Sequence, residues 1–183
     1  MQISKPYKEC VPSHLTQGFN SSHLANDWAY KFGTFLVAPF NAKVTVIRGV
    51  QNASDIVEGD NSFLQGGCGI RLQSTEDPTL SMVYWHCQDV FPVKVGDIVL
   101  QGQPVAMMGN TGFVQSGGQL VPYDIRLKPP YAGTHVHWTI GRQLGETYNP
   151  LDPSTLIAWG IPINYNVLDT IKFLLLKIRG FFK

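Results

Sequence analysis

The chain is predicted to be mainly β, a single domain of antiparallel sheets with a few short helices and one amphipathic helix at its C-terminal end. Short apolar runs bounded by Gly, Pro and Asn recur along the sequence, as strands joined by tight turns require. Eighteen glycines and twelve prolines in 183 residues, with only 15% of residues charged, suit a turn-rich β protein and leave little room for long solvated helices. Helical periodicity is confined to residues 167–183. This length supports one full core rather than two. The expected division is therefore a lead-in over residues 1–15, the main domain over 16–160, and a helical tail over 161–183.

The elements follow in order. Residues 1–17 are polar, and His14 there is expected in a turn or in solvent. His23 and Asp27 stand in a turn or extended segment just before the runs Gly33-Thr34-Phe35-Leu36-Val37-Ala38-Pro39 and Ala42-Lys43-Val44-Thr45-Val46-Ile47, which read as two short strands. Residues 48–67 are loop-like. Cys68-Gly69-Ile70-Arg71-Leu72-Gln73 and Leu80-Ser81-Met82-Val83-Tyr84-Trp85-His86-Cys87 alternate as the strands of a hairpin, with His86 near the second strand's end. Strict alternation sets His86 and Tyr84 on one face, with Trp85 and Cys87 on the other.

Residues 93–112 contain Gly-Asp, Gly-Gln and Gly-Asn pairs between short apolar runs, a pattern for tight reversals in a small antiparallel sheet. Residues 113–133 form a connection longer than most in compact domains, a length associated with site-lining loops. Thr134-His135-Val136-His137-Trp138-Thr139-Ile140 is the next strand, with His135 and His137 side by side on one face and Val136 and Trp138 on the core face. A short helix is expected over residues 155–159, closed by Pro162. In the tail, Val167, Ile171, Leu174 and Ile178 form an apolar stripe, while Lys172, Lys177, Arg179 and Lys183 outnumber Asp169. This helix is expected to dock on a protein partner or a membrane surface.

The net charge of +1 provides no field to gather polyanions, so nucleic acid is not an expected partner. Cys10, Cys68 and Cys87 are odd in number and lack CxxC spacing, which excludes a disulfide framework and a structural zinc knuckle. No apolar leader opens the sequence, and no stretch reaches the roughly 18 apolar residues of a membrane helix.

Four of the five histidines cluster in three places: His23 with Asp27, His86, and the pair His135 and His137. A catalytic zinc takes three ligands from His, Asp or Glu and keeps a fourth position for water, whose pKa it lowers to about 7. Two imidazoles and one carboxylate would leave the ion Lewis-acidic. The two remaining histidines would then be free for proton transfer and for stabilising a developing oxyanion.

The ordered pattern H-x-x-x-D at His23 and Asp27, Tyr84-Trp85-His86, the Gly-punctuated run over 93–112, His135-Val136-His137 and Asp152-Pro153 resembles the M23 (lysostaphin or LytM-type) zinc metallopeptidases. The likeness extends over residues 16–156, and the joined pattern is far more specific than its parts. It implies a LytM-like β-sheet groove with one zinc ion, His23, Asp27 and His137 in the ligand positions, and His86 and His135 as the two catalytic histidines. His135 then matches the general base and His86 the oxyanion stabiliser, with the roles open to exchange. The implied substrate is a stem or cross-bridge peptide of peptidoglycan, hydrolysed at the bacterial cell wall. With no leader seen, a phage lysin or virion-associated protein is the expected setting.

Three features depart from the family's usual pattern: Ala25 replaces a glycine, the link from Gly112 to His135 is longer, and no wall-binding module follows. Two rival classes account for less of the pattern. A phosphocarrier or lipoyl-type carrier needs a modifiable tip lysine or a histidine relay without a carboxylate ligand, and Asp27 argues against it. A non-enzymatic virion or wall-binding protein would tolerate loss of the site, yet all five positions are filled. A Cys87 nucleophile is disfavoured because neighbours on a strand face opposite ways.

Overall fold

The computed structural model of the chain describes residues 2–49, 66–160 and 162–163. The helix expected over 167–183 and most of the loop expected over 48–67 lie outside these residues.

The strands are β1 (Leu15–Gln17), β2 (Asn26–Trp28), β3 (Phe35–Val37), β4 (Ala42–Arg48), β5 (Cys68–Ser74), β6 (Leu80–Cys87), β7 (Ile98–Val99), β8 (Pro104–Met107), β9 (Gln115–Ser116), β10 (Gln119–Leu120), β11 (Val136–Leu144) and β12 (Thr147–Leu151). One four-residue helix, α1 (Tyr123–Arg126), follows β10. The large sheet has the order β1-β2-β11-β6-β5-β4-β7, with β12 paired to β11, and every pairing in it is antiparallel. The mainly β, antiparallel expectation therefore holds.

Alternation along β11 explains its central place. Val136, Trp138 and Ile140 are fully buried, while His137 and Thr139 face the other way. Trp138 packs against Tyr84 of β6 with ring centroids 5.7 Å apart. Leu36, Val105 and Ala106, from the two-stranded sheet of β3 and β8, are also fully buried, and Leu36 and Ala106 share the core cluster with Leu72, Met82 and Ile140. The Tyr84 hydroxyl donates to the Val37 carbonyl at 2.9 Å, joining the large sheet to the small one.

Local expectation and structure part in several places, each because backbone pairing overrides local pattern. The stretch expected as a polar lead-in supplies Ile3, Tyr7 and Cys10 to the core. The Ile3 amide donates to Leu156, and its carbonyl accepts from Ala158. Those bonds make a parallel bridge between Ile3 and Ile157, so the helix expected over 155–159 is instead a single 3-10 turn, Pro153–Thr155, started by the Asp152 side chain accepting from the Ser154 amide. Residues 93–112 do not make their own sheet: β7 borders β4, and β8 pairs β3. His14 closes a 3-10 turn, Pro12–His14, and stacks on Tyr30 at 4.8 Å. The long connection contains a hairpin of β9 and β10 before α1.

All three cysteines are free and buried. Among the described residues no helix is long and apolar enough to cross a membrane.

Candidate metal centre and groove

Asp27 was expected just ahead of a strand, but it lies on one. Asn-Asp-Trp has little β preference of its own, and β2 exists because β11 and β1 flank it. The register sets Asp27 directly across from His137. His23 is brought in by the turn before β2, where the Asn20 side chain accepts from the Ser22 and His23 amides. The His23 Nδ1 contacts the Gly18 carbonyl at 3.3 Å. A carbonyl can only accept, so Nδ1 carries a proton, and the Nδ1–H tautomer turns its Nε2 lone pair toward Asp27 and His137.

The donor atoms of His23, Asp27 and His137 all lie within 4.8 Å of one another. His23 Nε2 is 3.3 Å from Asp27 Oδ2 and 3.3 Å from His137 Nδ1, and His137 Nδ1 is 2.8 Å from Asp27 Oδ1. Donors held by a tetrahedral zinc at about 2.0–2.1 Å stand about 3.3 Å apart, so the set has the size of such a site. A second observation agrees. Asp27 Oδ1 is buried and lacks a partner in hydrogen-bond geometry, despite its 2.8 Å approach to His137. Converging lone pairs without an aligned proton are what a cation would satisfy. Burial works to raise the Asp27 carboxyl, but the His137 contact and the nearby His135 and His23 rings outweigh it and hold the carboxyl below its usual value.

His86 and His135 line the same groove, with ring centroids 4.6 Å apart and the His86 ring 6.0 Å from that of His137. His86 Nδ1 donates to the Thr111 carbonyl at 2.7 Å, and His135 Nδ1 donates to the Gly133 carbonyl at 2.8 Å. Both neutral rings therefore leave Nε2 as a bare lone pair. Burial pushes His86 well below the usual histidine range and His135 down in the same direction, so both are neutral at pH 7.

Strict alternation fails at His86. From Ile70↔Tyr84 to Cys68↔Cys87, the pairing advances two residues on β5 but three on β6. The extra residue is absorbed by His86 in the left-handed region, with φ of 60°. Tyr84 and Cys87 consequently both belong to the core, while Trp85 and His86 both line the groove. The expectation that Tyr84 would share the His86 face is corrected by this bulge. Gly69 makes room for it: a Cβ there would come within 2.4 Å of the Trp85 ring. Cys87 is buried in the core, with its thiol donating to the Tyr84 carbonyl.

Thr111 ties the bulge down. Its hydroxyl donates to the Cys87 carbonyl at 2.7 Å and accepts from the Cys68 amide at 2.9 Å. Thr111→Val removes both bonds at nearly constant volume and is expected to cost about 1–3 kcal/mol. Denaturant titration should show a lower midpoint at unchanged slope, and an unchanged midpoint would refute the assignment.

The groove around these side chains is about 440 Å³, walled by Trp85, Phe113, Gln17 and Gln115. An adjoining hollow of about 280 Å³ shares Gln17, Asp27, Gln115 and His135 and continues past Thr16, Ser116 and Gly117. Among the described residues no lysine or arginine lines either part, and Asp27 is the one carboxylate. Sequence reasoning missed Thr111, Gly133 and Gly18, which act through their carbonyls. For Thr111 the signal was the Gly109-Asn110-Thr111-Gly112 run, read only as a turn.

A mainly β protein with a His/Asp/His donor set in a groove beside two further imidazoles has an arrangement that could hold a single metal ion. The chain is a member of peptidase family M23, whose model matches residues 21–150. No curated protein matches the chain. Among solved structures, LytU is 25% identical with a TM-score of 0.51, over 84% of this chain and 82% of that one. A zinc-containing peptidase from Vibrio cholerae shows the same fold at 19% identity and a TM-score of 0.53, over 83% of this chain and 39% of that one. An M23 peptidase from Pseudomonas aeruginosa does so at 19% identity and a TM-score of 0.54, over 85% of this chain and 49% of that one. The chain thus spans less than half the length of these last two proteins.

Proposed function

We propose that residues 16–160 form a zinc-dependent endopeptidase acting at the bacterial cell wall on stem or cross-bridge peptides of peptidoglycan. The observation that carries this reading is the meeting of three donor atoms and two bare Nε2 atoms in one groove. Membership of the M23 family and the zinc named for the Vibrio cholerae peptidase support it.

In this reading His23, Asp27 and His137 hold one zinc ion. When bound, zinc supplies a Lewis acid and makes a water acidic enough to attack at neutral pH. His135 is the general base: its Nδ1 proton is committed to Gly133, so Nε2 is aimed to take the proton of the attacking water. His86 has the same tautomer and cannot donate from Nε2 while neutral. Its part as oxyanion stabiliser requires a second proton, which negative charge developing on the substrate would favour. The described wall residues Trp85, Phe113, Gln17 and Gln115 are uncharged and suit an extended peptide with small or uncharged residues beside the scissile bond.

The test is digestion of purified peptidoglycan of defined cross-bridge chemistry, with fragments read by mass spectrometry. Reconstituted protein is expected to hold one zinc per chain, to release new peptide amines, and to stop when the ion is chelated and resume when it is restored. Cleavage that persists after removal of the metal, or a chain that takes up no zinc, would overturn the proposal.

A further inference from the structure

Arg126, at the end of α1, is 2% exposed, and among the described residues no carboxylate pairs with it. Its guanidinium instead meets backbone carbonyls. Nε donates to Val121 at 2.8 Å and Nη1 to Gly112 at 2.6 Å, with longer bonds from Nη1 to Asn110 and from Nη2 to Val114, both 3.4 Å. Burying a cation is costly, and a planar fork of donors is the group that can satisfy several converging carbonyls at once. Asn110 ties the same region in the reverse direction: its amide donates to the carbonyls of Arg126 at 3.1 Å and Ala132 at 3.0 Å.

The carbonyls that orient the two groove imidazoles sit inside this knot. Thr111, whose carbonyl holds His86 Nδ1, lies between two residues gripped by Arg126. Gly133, whose carbonyl holds His135 Nδ1, follows Ala132 and packs so tightly on Val114 that a Cβ would come within 2.4 Å. We propose that Arg126 is a positioning residue: by ordering the backbone at 110–114 and, with Asn110, at 132–133, it sets the tautomer and aim of both His86 and His135. It touches neither the donor set nor the substrate groove, and its effect is exerted through two backbone carbonyls.

Imidazole ¹⁵N spectra of the full chain test this, with and without zinc, for Arg126→Lys and Arg126→Met. The expected result is one Nδ1–H tautomer for His86 and His135 in the wild type, and tautomer mixing with faster Nδ1 proton exchange in both variants. Arg126→Lys keeps the charge and loses the fork, so it separates the two contributions. Zinc stoichiometry should stay at the wild-type value. In the kinetic arm, which rests on the peptidase reading above, kcat should fall by about 10- to 100-fold while KM changes little. Lower melting temperatures with wild-type imidazole signals and wild-type kcat would overturn the proposal, leaving Arg126 a packing residue. If the arginine variants do not fold, Asn110→Ala decides: His135 signals that shift support the knot, and unchanged ones refute it. A wild-type chain that cleaves no wall peptide would sink the peptidase reading alone, since the spectra judge Arg126 independently.

Discussion

Asp27→Ala is expected to release the metal and abolish turnover together. Asp27 is the only carboxylate of the donor set, and its two oxygens reach His23 and His137 at 3.3 and 2.8 Å. Without it, two imidazoles remain, which lowers both the charge attraction for a divalent ion and the ligand count below three. Loss of an outer-shell partner alone weakens zinc binding by about 10- to 100-fold, so loss of a direct ligand should exceed about 100-fold. Competition against a chelator of known affinity measures this directly. The fold should persist, because Trp28 and Asn26 on either side of Asp27 remain buried in the sheet. An Asp27→Ala chain that binds zinc as tightly as the wild type would remove Asp27 from the metal site.

His135→Ala is expected to separate metal binding from chemistry. The ring lines the groove but is not one of the three donors, so its removal leaves the donor atoms in place. General base catalysis contributes about 10²- to 10⁴-fold, so kcat should drop by that factor with zinc content unchanged and KM close to wild type. The expectation is specific to His135, since His86 has the same tautomer but is more deeply buried, with only 7% exposure. A His135→Ala chain with wild-type kcat would show that another group takes the proton, and His86 would be the next to change.

Much of the fold was legible from single-strand pattern. Cys68–Ser74 and Leu80–Cys87 alternate clearly, and their hairpin lies where alternation predicts it, one residue longer at Ser74. The His135 and His137 side chains were legible as a pair because strand geometry alone puts residues two apart on one face. Their meeting with His23 and Asp27 was read from an ordered motif rather than from local structure. The strand nature of Asp27 was not legible, because β2 takes its form from its neighbours. The bulge at His86 was hidden as well: a positive φ at a non-glycine residue leaves no mark in an apolar alternation.

By itself, then, the sequence determined the β class, the strands rich in alternating apolar residues, and the five side chains, His23, Asp27, His86, His135 and His137, that the fold gathers in one groove. The strands depend on residue type and short spacings, which the chain carries locally, and the five side chains on the order of motifs along the whole chain. Only the tertiary structure decided which face His86 takes, that the segment from Ile3 to Cys10 joins the core, and that a buried Arg126 grips the carbonyls beside both imidazoles. The first two are set by backbone hydrogen bonds between residues far apart in the chain and the third by a side chain reaching backbone carbonyls; every residue type supplies the same carbonyl, so nothing in the amino-acid alphabet marks which ones will be used.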